Sequence, residues 1–282
     1  MTMRALAIYR SATYSPGRHR NNDAAIMDAV TSRLLAHGWA IERLGEGDVE
    51  AGIMPDADLY LNMCQGSEAS ARLLELEDRG ARMINRPSSV LGCHRHRLIR
   101  TLEAAAIPFP ATAMLPTVDA PLFETELPEG DFWVKRGDVH AQEAADVVRT
   151  SRDDLETVLA SFGERGVRQV AVQAHVPGPV LKFYGVGDGT FFHAFREDGR
   201  PVDGDTVDLN VLRRLAVTAA RAVGLSVFGG DAVVPSRTHP VLVDLNDWPS
   251  FAPVRDEAAS AIAQLAFSLV PQRSPVMQRS AK

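Results

Sequence analysis

The stretch PVLVDLNDWPSFAPV, Pro240–Val254, decides the reading of this chain. It is an apolar run that delivers Asp244 and Asn246 two positions apart. Alternate residues of a strand share a face, so a carboxylate and an amide oxygen point the same way out of a hydrophobic segment. Just upstream, VFGGDAVVP, Val227–Pro235, is a second apolar run with one carboxylate inside it, Asp231. Turn-forming residues between the runs, Ser236 to His239, make the pair a hairpin. A carboxylate inside an apolar strand is costly to bury without a partner. Three hard oxygen donors held together by a hairpin suit Mg2+, which binds one or two carboxylates together with substrate phosphates.

The pair GGD and VDLNDWPSF resembles the C-terminal end of ATP-grasp enzymes. In that superfamily an Asp on one strand and an acid-x-Asn on the next hold the metal ions bound to ATP. The resemblance therefore implies ATP and Mg2+ (or Mn2+) as cofactors and Asp231, Asp244 and Asn246 as metal ligands. Most ATP-grasp ligases carry Glu where this chain has Asp244. Asp-x-Asn-x-x-Pro, here Asp244, Asn246 and Pro249, is similar to the inositol phosphate kinase branch.

The chain has 282 residues, 45% hydrophobic and 23% charged, enough for two or three lobes with real cores. A net charge of −6 argues against a nucleic-acid-binding surface. No apolar run approaches the ~20 residues of a membrane span. The first residues carry too short an apolar segment for a signal peptide. Cys64 and Cys93 lack metal-type spacing, so a reduced, cytoplasmic setting is expected. The histidines lack a zinc spacing.

Residues 1–90 alternate strand and helix, which reads as an α/β lobe around a parallel sheet. The strands are expected at Arg4–Arg10, Trp39–Leu44, Asp58–Met63 and Ala81–Asn85, with helices over Ala24–His37 and Glu68–Arg79. The loop after the first strand carries Arg18, His19 and Arg20 just before a helix N-terminus, a place suited to an anionic group. Equally, it reads as a solvated basic loop. The resemblance favours substrate binding there.

A helix is expected over Leu91–Ala106, followed by IPFPAT, Ile107–Thr112. This is similar to the ATP-grasp linker, whose early basic residue contacts phosphates; counting back gives Arg95 or Arg97. The strand in DFWVKRGDVH, Asp131–His140, carries Lys135 where the family has its α- and β-phosphate lysine. The usual Gly-rich flap is replaced by a segment with one glycine, so Arg136 or His140 would cover the phosphates. QVAVQAHV, Gln169–Val176, matches the hinge over adenine, which implies Gln173, Ala174, His175 and Val176 around the base. The hairpin GPVLKFYGVGDGTFFHAFR, Gly178–Arg196, carries Lys182 at a spacing similar to a kinase lysine. Arg196 sits like strand-end arginines that stabilise an acyl phosphate.

The resemblance thus implies an α/β chain whose ATP-grasp part is α+β. Its expected divisions are a pre-ATP-grasp lobe (1–90), a central subdomain (91–170), a C-terminal subdomain with the metal site (171–270) and a tail (271–282). The implied activity is that of a carboxylate-amine ligase acting on an anionic small molecule or peptide. The alternative is a small-molecule kinase. Asp244→Ala is expected to abolish ATP turnover and leave the fold intact.

Overall fold

Four short strands build a parallel sheet whose central members, RALAIY and LYLN, are buried apolar runs, while the edge strand AIERLG is largely exposed. They are β1 (Arg4–Tyr9), β2 (Ala40–Gly45), β3 (Leu59–Asn62) and β4 (Met83–Ile84), in the order β2-β1-β3-β4. This is a computed structural model; it describes residues 2–15, 18–120, 126–127, 129–137 and 143–270, with backbone alone at 18–20 and 144. Parallel neighbours need crossovers. Helices α1 (Arg18–Ala36), α2 (Glu46–Glu50) and α3 (Ser67–Asp78) supply them. Helix α1 starts six residues before the position expected from the sequence. Asn21, Asn22 and Asp23 favour turns over helix interiors. Here Asp23 is buried and tied by Arg10 and Ser15, so tertiary contacts override local preference.

Next, α4 (Pro87–Gly92) and α5 (Arg95–Ala104) replace the single helix expected over Leu91–Ala106. The break falls at Cys93–His94, where His94 is extended. It makes Arg95 the first residue of a new helix. A second sheet follows, from β5 (Thr112–Pro116), β6 (Phe132–Arg136), β7 (Val147–Thr150) and β8 (Gln169–Ala174), with α6 (Leu155–Glu164) before β8. Its order is β5-β8-β6-β7, every neighbour antiparallel. Leu115, Phe132, Val134, Val170 and Val172 turn inward with Leu155, Leu159 and Phe162 of α6 into a separate core. By alternation Thr112, Met114, Trp133, Lys135, Ala171 and Gln173 share the opposite face.

The third sheet is antiparallel, in the order β10-β9-β11-β12. Its strands are β9 (Val180–Val186), β10 (Phe191–Arg196), β11 (Val227–Ser236) and β12 (His239–Asp247), with α7 (Leu209–Val223) between β10 and β11 and α8 (Arg255–Leu269) last. Asp208 caps α7 by accepting from the N–H groups of Asn210 and Val211, and Gly224 ends it with φ 84°. One face of this sheet packs on α7 and α5 through Phe183, Phe228, Leu212, Leu98 and Leu102. Its far end joins the first lobe: Val186, Val227 and Trp248 share a core with Ala7, Ile26, Leu34 and Ile262. The first and third sheets are therefore parts of one packed body, and the second sheet stands over them with its own core.

The DWPSF turn makes that junction. Trp248 (φ 36°) and Phe251 (φ 50°) both adopt left-handed backbone, which costs of order 1–3 kcal/mol each for non-glycine residues. Both side chains are fully buried, and the Trp248 indole N–H donates to the Ile84 carbonyl at 3.2 Å. Burial of two large aromatics, ~2–3 kcal/mol each, offsets the strain. Among the described residues no helix is long and apolar enough to cross a membrane. The tail 271–282 lies outside the described residues.

Candidate active site

β11 and β12 pair so that Asp231 stands directly opposite Asp244, and Asn246 opposite Gly229. All four share the face that carries Lys182, which pairs with Asp231 on the other side. The glycine pair in GGD is a packing requirement. A Cβ at Gly229 would come within 2.7 Å of the Pro249 ring, and one at Gly230 would overlap the Asp244 carbonyl. Between Asp231 and Ala232 the register slips, leaving Val243 as a bulge residue. The bulge turns the Val243 carbonyl out of the ladder, where it accepts from Lys135 Nζ at 3.0 Å.

Three cations from three elements meet at this edge. Arg95, buried at the start of α5, donates to the Arg136 carbonyl at 2.8 Å and to Asp244 Oδ2 at 3.2 Å. Lys135 reaches in from the second sheet. Lys182 Nζ lies 3.2 Å from Asp231 Oδ1, with its side chain half exposed. Among the described residues, these three positive groups face the two carboxylates Asp231 and Asp244. Burial pushes the Lys135 ammonium down to about 8, against the pull of Asp244. Burial also works to lower Lys182, but the facing Asp231 outweighs it and the net shift is upward. Burial raises Asp231 despite Lys182. Arg97, the other candidate in the linker, is exposed on α5, whereas Arg95 is buried against Asp244.

The oxygen set of Asp231, Asp244 and Asn246 fits a hard divalent cation. Two carboxylates and an amide on one sheet face leave coordination positions for phosphate oxygens and water. Among the described residues no group of three or more His, Cys, Asp or Glu could form an all-protein cage.

On the second sheet, Gln173 is buried on the Lys135 face. The N–H groups of Ala174 and His175 are spent on the carbonyls of Ala111 and Asp131, at 2.8 and 2.9 Å. His175 Nδ1 meets the Trp133 indole N–H at 3.1 Å. Val176 follows that pairing. His140 lies outside the described residues.

Two expectations fall elsewhere. Arg196 pairs with Leu181, so it leaves β10 on the face opposite Lys182. Its guanidinium is held by Asp203 and Thr206. Arg18, His19 and Arg20 lie in the first turn of α1 instead of a loop before it, and only their backbone is described. At that sheet edge the N–H groups of Ser11, Gln65 and Gly66 are already taken, by the buried carboxylate of Glu46.

The sequence did not point to a second cluster beside the metal face. A cleft of about 260 Å³ is lined by Arg10, Tyr14, Asp23, Gln65, Lys182 and Tyr184, with Asn246 and Ser250 from β12 and its turn. Arg10 bridges Asp23 (3.0 Å) and Asp247 (3.2 Å), and Gln65 donates to the other Asp247 oxygen at 3.0 Å. Tyr184 was legible by alternation from Lys182. Asp247 was not, because alternation puts it opposite Asn246, and only the packing of β12 against the first lobe brings Arg10 to it.

No protein-family model matches this chain. No curated protein matches its sequence. Solved structures do resemble it. The D-alanine–D-alanine ligase from Bacillus anthracis complexed with ATP superposes with a TM-score of 0.69 at 13% identity, covering 95% of this chain and 96% of that one. A RimK domain ATP-grasp protein from Sphaerobacter thermophilus gives 0.66 at 18% identity, over 92% and 98% of the two chains. A D-cycloserine synthetase gives 0.64 at 18%, over 93% and 99%. The architecture of this chain is the ATP-grasp fold.

Proposed function

We propose that the protein is an ATP-dependent ligase that activates a small-molecule carboxylate as an acyl phosphate and passes the acyl group to an amine. The observation that carries this reading is the convergence of Arg95, Lys135 and Lys182 on Asp231, Asp244 and Asn246. They meet between two sheets of an ATP-grasp fold, and Lys182, Asp231 and Asn246 among them line a small polar cleft. The base would lie along the second sheet near Gln173 to Val176, with the triphosphate against Lys135 and Arg95. A divalent metal held by Asp231, Asp244 and Asn246 would neutralise developing charge on the phosphates. A carboxylate oxygen in the cleft attacks the γ-phosphorus, and the β–γ bridging oxygen leaves with ADP. An amine then attacks the acyl carbon, phosphate leaves, and the amine proton goes to solvent. Lys182, on the cleft side of the metal face, supports the transferred phosphoryl group, and most of the catalysis is positioning and charge neutralisation.

The cleft favours a ligase over a kinase for a polyphosphorylated acceptor. Of the two cations described in its lining, Arg10 is committed to Asp23 and Asp247, and Lys182 faces Asp231. The test is phosphorus NMR of the protein with Mg·ATP and pools of amino acids, small carboxylates and inositol phosphates. Free phosphate that requires both an acid and an amine is the expected result. A new phosphoester or pyrophosphate signal without free phosphate would make it a kinase.

Lys135 gives this reading a pH signature. The free ammonium titrates at about 8, and a triphosphate beside it favours the charged form. Above pH 8 binding must take up a proton, so ATP affinity should fall as pH rises, by roughly eightfold between pH 7.5 and 9 if the bound lysine stays charged. Calorimetry with a non-hydrolysable ATP analogue in two buffers of different ionisation heat would detect the uptake. Lys135→Met should remove both binding and the pH dependence. A flat affinity across that range would mean that the lysine is charged throughout in the free protein, and wild-type affinity in Lys135→Met would exclude it from phosphate contact.

A further inference from the structure

The carboxylates that would hold a metal are each engaged by a cation of the protein itself. Arg95 Nη2 lies 3.2 Å from Asp244 Oδ2, and Lys182 Nζ lies 3.2 Å from Asp231 Oδ1. The two carboxylates are direct cross-strand neighbours on one face. Like charges that close repel, so each cation stabilises the pair in the nucleotide-free protein. A divalent ion arriving alone would have to displace both cations and leave them beside it, one of them buried. A metal arriving with a triphosphate brings oxygens that can receive them.

Resting on the ATP reading above, we infer that Arg95 and Lys182 are resident counter-ions that exclude free metal from the site. They exchange from carboxylate to phosphate when metal and nucleotide enter together. Nothing is transferred covalently in this exchange: two internal ion pairs break, and metal–carboxylate and cation–phosphate contacts replace them. It also releases Lys182, whose half-exposed ammonium lines the acceptor cleft beside Tyr184 and Asn246. The lysine proposed to serve the transferred phosphoryl group is thus withheld until metal and nucleotide are in place.

The test is a Mn2+ titration followed by electron paramagnetic resonance, with and without the β,γ-imido analogue of ATP. The wild-type protein should bind Mn2+ alone at least about tenfold more weakly than with the analogue, ~1.4 kcal/mol. Lys182→Met is the decisive variant, since its side chain is half exposed and its removal leaves the core untouched. It should raise affinity for Mn2+ alone by about tenfold, with urea stability lowered by no more than the small amount a half-exposed ion pair contributes. Arg95→Met should do the same at Asp244, with some loss of stability. Wild-type protein that binds Mn2+ alone as tightly as with a bound analogue, or a Lys182→Met variant with unchanged Mn2+ affinity, would overturn the exchange and leave the ATP reading standing. Failure of the analogue to bind in any form would overturn the ATP reading and the exchange with it.

Discussion

Asp244→Asn should lose ATP-dependent turnover by at least about a thousandfold while keeping a cooperative urea transition close to that of the wild type. The two parts have different causes. A neutral amide donates as well as accepts, so it is a poor ligand for a hard cation and a poor counter-charge across from Asp231. The amide oxygen still accepts from Arg95, so the buried guanidinium keeps a partner. Asp244→Ala lacks that partner. Arg95 keeps only 8% of its side-chain surface, and its Asp244 bond would be replaced by a void. Losing one charge-assisted hydrogen bond of a buried guanidinium costs ~1.5–3 kcal/mol, so the expected loss is about 2 kcal/mol. The sequence-based expectation that Asp244→Ala leaves the fold intact is tested by the same urea transition. The matched variant at the other carboxylate should behave differently. Asp231 faces the half-exposed Lys182, so Asp231→Ala should lose turnover comparably at a cost under about 1 kcal/mol. Urea midpoints for the three variants, measured beside ATP consumption, test the pattern. Equal destabilisation by the two alanine variants would mean that Arg95 does not depend on Asp244.

The metal face was readable because it obeys alternation. Two apolar runs, a turn between them and carboxylates at fixed offsets define Asp231, Asp244 and Asn246 without tertiary information, and the cross-strand register follows. Lys182 was readable as the lone cation of its strand, and Lys135 as the cation that alternation places on the face away from Phe132 and Val134. What could not be read depends on the meeting of distant segments. The bulge at Val243 that aims a carbonyl at Lys135 has no local mark. The break between α4 and α5 sits in a stretch, LGCHRHRL, whose apolar spacing continues through it; Gly92 there stands against Val223 of α7, which a Cβ would approach to 2.9 Å. Arg196 resembles a ligand-binding residue by position, yet register puts it on the face away from Lys182. The Arg10–Asp247 pair joins residues 237 positions apart. The edge formed by the loops after β1 and β3 is organised by an anion the protein carries in its own chain, which no local pattern announced.

That anion, Glu46, should be among the most costly residues to remove. Its side chain is buried, and its two oxygens accept three backbone N–H groups: Gln65 at 2.8 Å, Gly66 at 2.5 Å and Ser11 at 2.8 Å. These donors lie just past the C-terminal ends of β1 and β3, in loops with no regular partner for them. Glu46→Ala would strand all three at once. An orphaned buried donor costs ~1–3 kcal/mol, and some water would enter the space left, so the expected loss is about 3–5 kcal/mol. Asp48, two residues on, provides the control. It accepts one N–H, from Gly45 at 2.7 Å, at a half-buried position, and Asp48→Ala should cost ~1 kcal/mol. Glu46→Gln should fall between, since one oxygen remains and the new amide N–H group faces a donor. The consequence reaches the cleft. Ser11 follows Arg10, and the Gln65 side chain donates to Asp247, so the loops fixed by Glu46 carry both groups that clasp Asp247 beside Asn246. At temperatures where Glu46→Gln remains folded, it should therefore weaken cleft-side binding while nucleotide affinity, set across the molecule by Lys135 and Arg95, stays within about twofold. Urea unfolding of the three variants, with calorimetric nucleotide titration of Glu46→Gln, checks both halves. A Glu46→Ala midpoint matching that of Asp48→Ala would show that water replaces the carboxylate at little cost and that the edge is not organised by it.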